Sequence, residues 1–143
     1  MKTISLAALA LALAALLSGC SAPAPHSAFS PPACPSGEAM TQTSLYFGLS
    51  RPQGADVTSA EWHSFVDKEV TPRFKEGLTV FDARGQWLEG SGRIARENSK
   101  VLMLIHPGGE PAEQNIEALR TRYKQQFQQE SVMRTDSPVC VAF

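Results

Sequence analysis

The stretch from Gly77 to His106 constrains the fold more than any other part of this sequence. Two runs rich in β-forming residues flank the turn Gly90-Ser91-Gly92, a pattern that indicates a long β-hairpin. The second arm ends in Val101–Ile105, a run of consecutive apolar residues. A strand that is apolar on both faces is normally covered on both sides. We therefore expect this arm to be a central strand of a sheet.

Two more strands and two helices are predicted around the hairpin. The first strand, Thr41–Ser50, alternates apolar and polar residues, and the last strand lies in Val132–Phe143 with a break at Asp136-Ser137-Pro138. A first helix is predicted over Thr58–Val70, because Thr58 and Glu61 form a capping-box pattern.

A second helix is predicted from Pro111, with an apolar stripe at three- and four-residue spacing. Its members are Ile116, Leu119, Tyr123 and Phe127. Gly85, inside the first arm of the hairpin, suggests a β-bulge.

The element order β-α-β-β-α-β indicates an α+β, ferredoxin-like fold. Such a fold has a four-stranded antiparallel sheet, with strand order 4-1-3-2, and two helices on one face. Because the helices cover only that face, either Val101, Met103 and Ile105 or Leu102 and Leu104 must lie on the open face. An apolar open face predicts a cover, and we expect a homodimer through the sheet face.

The N-terminus has the pattern of a bacterial lipoprotein signal. Lys2 is followed by a short apolar run and by Leu-Ser-Gly-Cys, which ends at Cys20 and resembles a lipobox. This predicts a signal peptide over residues 1–19 and lipidation of Cys20, by palmitate or a similar acyl chain. With Ser21 rather than Asp next, the expected address is the periplasmic face of the outer membrane. The alternative is an ordinary cleaved signal with an incidental cysteine.

Residues 20–39 carry a proline-rich tether, and residues 40–143 form the predicted domain. Removal of residues 1–19 leaves 124 of the 143 residues, enough for one small core. Cys34 and Cys140 then remain, and export favours a disulfide between them over two free thiols. The predicted topology supports this pairing, since it brings the start of the first strand beside the end of the last.

The composition argues against several functions. After Lys2 is removed, 12 basic residues face 14 acidic ones, which argues against nucleic-acid binding through phosphate neutralisation. No catalytic motif is recognisable, and His26, His63 and His106 lack the spacing of metal ligands. We expect no metal and no cofactor, and the catalytic residues, if any exist, stay unknown.

The hairpin region supplies candidate ligand-binding residues. Guanidinium and ammonium groups near aromatic rings can clamp a carboxylate or a phosphate. The candidates are Tyr46, Arg73, Trp87, Arg96 and Lys100. The alternative is a solvated hairpin with weak surface ion pairs, in which Trp87 only packs on an edge strand.

Several short motifs resemble a bacterial family of exported proteins and lipoproteins catalogued as domain of unknown function 3574. The motifs are Val70-Thr71-Pro72-Arg73-Phe74, Gly77-Leu78-Thr79-Val80, Gly85-Gln86-Trp87 and Arg96-Glu97-Asn98-Ser99-Lys100. The resemblance covers residues 41–143 and implies no activity. A binding or interaction module of the cell envelope is the expected function, and a small-molecule enzyme with a pocket on the open sheet face is the alternative.

Overall fold

The computed structural model describes residues 33–143. The elements, in chain order, are β1 (Glu38–Gly48), α1 (Ser59–Phe65), β2 (Thr79–Leu88), β3 (Ile94–His106), α2 (Glu110–Phe127) and β4 (Met133–Val141). The predicted signal peptide, Cys20 and the tether up to residue 32 lie outside the described residues. No helix within residues 33–143 is long and apolar enough to cross a membrane.

The four strands form one antiparallel sheet in the order β2-β3-β1-β4. This is the order predicted from the sequence, and the α+β, ferredoxin-like fold is confirmed. Strand β3 lies between β2 and β1, so Val101–Ile105 occupies the central position that its apolar composition indicated.

The first helix begins as its capping signals predict. Thr58 accepts a hydrogen bond from the Glu61 backbone N–H, and the Glu61 carboxylate accepts one from the Thr58 backbone N–H. After Phe65 the helix widens into one π-helical turn, Val66–Val70. Its C-terminal cap is a hydrogen bond from the Thr71 N–H to the Val66 carbonyl.

The core between the sheet and the helices is largely aromatic. Phe47 on β1 makes edge-to-face contacts with Trp62, Phe65 and Tyr123, and the predicted stripe of α2 is fully buried. Tyr123 donates a hydrogen bond to the Gly48 carbonyl at 2.8 Å. Burial raises the pKa of the Tyr123 hydroxyl, so it remains a donor and fixes the end of β1 to α2.

The alternation along β3 decides which apolar residues face water. Leu102 and Leu104 are fully buried against the helices, so Val101, Met103 and Ile105 lie on the open face. Ile105 is 36% exposed there, and Phe81, which pairs with Val101, is 49% exposed. The open face therefore carries the apolar patch that the sequence required on one side or the other.

Three local predictions were wrong. Strand β1 begins at Glu38 rather than Thr41, since its first residues pair with the last residues of β4. Gly85 forms no bulge, because the pairing of β2 with β3 runs in register through it. Strand β4 is continuous through Pro138, which an edge strand tolerates since one side of its backbone has no ladder partner.

The predicted disulfide between Cys34 and Cys140 is present, with a Cα–Cα distance of 5.5 Å. Ala39 on β1 pairs with Cys140 on β4, so the antiparallel register brings the two cysteines together. The bond links the segment that precedes β1 to the edge strand β4.

A buried polar network crosses the helix-facing side of the sheet. Gly108 donates its backbone N–H to His106 Nδ1 at 3.1 Å, so the neutral ring carries its proton on Nε2. His106 Nε2 lies 2.9 Å from the Thr43 hydroxyl, which donates in turn to the Asp136 carboxylate at 2.5 Å. Burial lowers the pKa of His106, and the nearby Arg134 guanidinium also lowers it.

Arg134 extends this network to the second helix. Its guanidinium donates to both carboxylate oxygens of Glu113, at 2.6 and 2.7 Å, and pairs with Asp136 at 2.9 Å. These bonds raise the pKa of Arg134 and lower that of Glu113. The network joins β1, β3, β4 and α2 through charged and polar groups whose partners lie within the fold.

Candidate functional site

A cleft of about 910 Å³ lies on the open face of the sheet, at the end where the β2–β3 hairpin turns. Residues of all four strands line it, together with the loops that follow β1 and α2. Its volume is within the range of small-molecule pockets.

The floor of the cleft consists of small residues. Gly85 on β2 pairs with Glu97 on β3, and Gly48 on β1 pairs with Ser99. Ala95 also lines the cleft, opposite Trp87 in the ladder. Because paired residues project to the same face of a sheet, the two glycines, on β2 and β1, leave space above the sheet for the cleft.

Two aromatic side chains and a methionine stand around this floor. The Trp87 ring leans over Gly85, with Cζ3 at 3.9 Å from the point where a Cβ on Gly85 would lie. Tyr46 and Met133 pair across β1 and β4 on the other side of the cleft. Trp87 is 48% exposed, whereas Trp62 is 2% exposed in the core, so the two indole rings differ sharply in environment.

Glu97 lines the cleft, and its carboxylate lies against Gly48. A Cβ on Gly48 would overlap Glu97 Oε1, so glycine at this position leaves room for the carboxylate. The carboxylate is partly buried, which raises its pKa, and the charge of Asp56 raises it further. Within residues 33–143, Glu97 has no side-chain hydrogen bond or ion pair.

Gln129 reaches the same point from the end of α2. The helix ends at Phe127, and Gln128 adopts a left-handed backbone conformation with φ of 57°, which turns the chain towards the cleft. Gln129 Nε2 donates to the Ser50 carbonyl at 2.6 Å and to the Phe127 carbonyl at 3.2 Å. Its Oε1 lies 3.0 Å from the position that a Cβ on Gly48 would occupy.

Two of the three arginines at the cleft are already paired. Arg51 binds Glu61 at 2.6 Å, and Arg93 binds Glu89 at 2.6 Å. A backbone hydrogen bond from Thr58, with the Arg51 guanidinium, lowers the pKa of Glu61 to about 2. Arg96 is exposed and forms no ion pair within the described part of the chain.

The structure brings together three of the five candidate ligand-binding residues. Tyr46, Trp87 and Arg96 line the cleft. Arg73 is absent from its lining and instead binds the Glu69 carboxylate at 3.0 Å, while Lys100 forms an ion pair with Asp82. Arg73 and Lys100 therefore lie outside the cleft that the other three candidates line.

The sequence prediction missed Glu97, Gln129 and Gly48. Glu97 belongs to the Arg96–Lys100 motif, which supported the family resemblance but did not indicate that the Glu97 carboxylate lines a cleft. Gln129 lies in a polar run after α2, and only the turn at Gln128 brings it beside Glu97. Residues 33–143 contain no group of three or more His, Cys, Asp or Glu side chains that could hold a metal ion.

Comparison with solved structures identifies similar folds. A phage SAM lyase in its apo state is 17% identical, with a TM-score of 0.53 over 80% of this chain and 98% of that one. The phage SAM lyase in complex with S-methyl-5'-thioadenosine is 18% identical, with a TM-score of 0.51 over 77% of this chain and 95% of that one. At such identities the likeness concerns the fold alone.

None of the curated proteins compared with this chain is significantly similar in sequence. The model of one protein family, described as a protein of unknown function (DUF3574), matches residues 42–143. That range begins within β1 and includes both helices, the hairpin, the cleft and β4. The chain therefore belongs to the DUF3574 family.

Proposed function

We propose that this chain is a cell-envelope lipoprotein, anchored through Cys20 at the periplasmic face of the outer membrane, whose domain binds a small molecule in the open-face cleft. The observation that carries the binding proposal is the pair of acceptors, Glu97 Oε1 and Gln129 Oε1, beside Gly48 in a cleft with aromatic walls. Polar groups that converge on one point beside aromatic side chains fix the orientation of a bound molecule in ligand sites.

A structural role explains these residues less well. A carboxylate that only solubilises the surface gains nothing from partial burial without a partner, because burial disfavours its charged form. The glycine at position 48 and the turn at Gln128 both serve to place acceptors in the cleft. A bound ligand that donates to the Glu97 carboxylate would offset the cost of its partial burial.

One observation favours an enzyme that uses the same cleft. A carboxyl group with a raised pKa in a cleft is suited to general acid or base chemistry. In this second candidate function Glu97 would transfer a proton to or from a bound substrate. Release of a changed product from the bound molecule would distinguish catalysis from binding.

The apolar patch of the open face supports self-association as a separate property. Phe81 and Ile105 are exposed beside Val101 and Met103, and monomeric proteins rarely expose such a cluster without a use. We propose that a second copy covers it. Sedimentation velocity of the unchanged chain and of the Ile105→Glu variant tests this proposal. The unchanged chain should sediment as a dimer and the variant as a monomer. A monomer for both chains would contradict it.

Equilibrium dialysis against a polar-metabolite extract tests the binding function. The extract is supplemented with S-adenosylmethionine and S-methyl-5'-thioadenosine, because a phage protein of this fold holds the latter. Mass spectrometry should find at least one compound enriched with the lipidated chain in detergent, and Trp87→Ala should lose it. Glu76→Gln, an exposed carboxylate outside the cleft, is the control. No enrichment over the Trp87→Ala chain would contradict the proposal.

A further inference from the structure

Deepening the proposed function, on which it rests, we infer that the ligand of the cleft is an organic amine with an apolar or aromatic body. Its ammonium group lies between the Glu97 carboxylate and the Gln129 amide oxygen, and its body lies between Trp87 and Tyr46.

The orientation of the Gln129 amide is fixed by its neighbours. Its nitrogen donates to two backbone carbonyls, those of Ser50 and Phe127. The opposite orientation would place the amide oxygen against two carbonyl oxygens, which cannot donate to it. The amide oxygen must therefore face Gly48, where the Glu97 carboxylate also lies.

The Glu97 and Gln129 side-chain oxygens both lie beside the position of a Cβ on Gly48, so one donor group could bind both. A carboxylate and an amide oxygen repel each other, and no side chain in residues 33–143 donates to either of them. An ammonium group has three N–H donors and a positive charge, so it can bind both oxygens at once. A neutral hydroxyl carries a single donor and leaves one acceptor without a partner.

The charges around the cleft favour a cation over an anion. Arg51 and Arg93 are neutralised by Glu61 and Glu89, and only the exposed Arg96 stays unpaired among the three arginines at the cleft. An anionic ligand that reached the floor would have to approach the Glu97 carboxylate, at a cost that one exposed guanidinium hardly offsets.

The walls of the cleft suit the rest of such a ligand. Trp87 and Tyr46 present rings, and Met133 presents a flexible thioether beside Tyr46. The face of an indole or phenol ring attracts a cation and also packs against an apolar body. Carboxylate and aromatic walls together are the chemistry that recognises organic amines.

Protonation of Glu97 should compete with the amine. Burial and the charge of Asp56 raise the pKa of this carboxyl group, and an ammonium group beside it would lower that pKa again. Only the ionised carboxylate attracts the cation. Affinity should therefore rise with pH as Glu97 ionises and then level off.

Three probes of the same size and different charge test the inference: benzylamine, benzyl alcohol and benzoate. Each is titrated into the lipidated full chain in detergent, and NMR follows the indole N–H of Trp87, with that of buried Trp62 as an internal reference. Benzylamine should bind at least tenfold more tightly than the other two. Glu97→Gln should weaken it at least tenfold, while Glu76→Gln should leave it unchanged.

Two further variants keep the test informative if Glu97→Gln perturbs the fold. Glu97→Asp retains the charge and should retain the preference for the amine over benzoate. Gln129→Met removes the second acceptor and should weaken benzylamine severalfold without a change for benzyl alcohol. Backbone amide resonances that stay unchanged away from the substituted residue show that the fold of each variant is intact.

The outcomes separate this inference from the proposed function. If benzoate binds as well as benzylamine, the ligand class is wrong, whereas the cleft still binds small molecules. If no probe shifts the indole N–H resonance of Trp87 while dialysis finds an enriched compound, the proposed amine class is wrong and the binding function stands. If neither experiment detects binding, both proposals fail.

Discussion

At the scale of single residues, the missing side chain of Gly48 determines where Glu97 places its carboxylate. The Glu97 side chain has no hydrogen bond or ion pair within residues 33–143 that would hold its carboxylate. The position of the carboxylate, and with it the raised pKa, should therefore depend on the space above Gly48.

We predict that Gly48→Ala lowers the pKa of Glu97 towards its ordinary value of 4.5, because the new methyl group displaces the carboxylate towards water. Since the far end of a flexible side chain can move away, the free energy of unfolding should change by less than about 1 kcal/mol. NMR titration of the Glu97 carboxyl carbon measures the first effect. Gly85→Ala, whose Cβ would meet nothing closer than 3.9 Å, should leave the pKa unchanged.

His106 gives a second prediction at this scale, a loss of stability in mild acid. Its Nδ1 accepts from the Gly108 N–H, so protonation of the ring removes that acceptor and places a charge in a buried network. Burial and Arg134 hold the pKa of His106 below 6.5, although Asp136 and Glu113 oppose this shift. The unfolded chain then binds the proton more readily than the folded one.

The sign follows from that difference. The contribution of neutral His106 is fully present above pH 6.5 and is lost as the pH falls through the lower pKa of the folded state. Urea unfolding between about pH 7 and pH 5 should show a decline no steeper than about 1.4 kcal/mol per pH unit. The His106→Gln variant should lose this decline in the free energy of unfolding. The His63→Gln variant, changed on the exposed helix surface, should keep it. An equal decline in both variants would exclude His106 as its source.

At the scale of secondary-structure elements, the sequence predicted the type and order of every strand and helix because their apolar patterns are regular. The doubly apolar Val101–Ile105 run indicated a central strand, and the capping box at Thr58 indicated the start of α1. The errors at Gly85 and Pro138 arose because both residues can break a strand, and only the register and the edge position show that they do not.

The cleft was less predictable than the elements that form it. Tyr46, Trp87 and Arg96 could be named because aromatic and guanidinium groups are conspicuous near a hairpin. Glu97 and Gln129 are 32 positions apart, and their meeting depends on the pairing of Gly48 with Ser99 and on the turn at Gln128. Arg73 and Lys100 lie outside the cleft, where they form ion pairs with the nearby carboxylates of Glu69 and Asp82.

The disulfide between Cys34 and Cys140 gives a prediction for the β1–β4 pair. Its cysteines are 106 positions apart, so in the chain-entropy description it should stabilise the folded state by about 4–5 kcal/mol. The double variant with Cys34→Ser and Cys140→Ser should unfold at a much lower urea concentration and retain the same sheet. An unchanged midpoint for unfolding would show that the pairing of β1 with β4 suffices without the bond.

At the scale of the whole molecule, the proposed lipid at Cys20 would keep the domain at a membrane. We predict that Cys20→Ser releases the chain into the soluble fraction, because the proposed anchor is the lipid on this cysteine and no helix within residues 33–143 could cross a membrane. Metabolic labelling with an alkyne fatty acid should mark the unchanged chain and not the variant. A soluble, unlabelled wild-type chain would contradict the proposed anchoring, though not the binding function of the cleft.

The missing side chain of Gly48 makes room for the Glu97 carboxylate on the open sheet face, and the end of α2 brings Gln129 beside it. The central claim is that the Glu97 carboxylate, partly buried in the cleft, binds an organic amine. Carbon NMR tests this claim by measuring the pKa of the Glu97 carboxyl group with and without saturating benzylamine. We expect a pKa above 4.5 in the free chain and a clear fall in this pKa when the amine binds. A value near 4.5 that benzylamine does not change would contradict it.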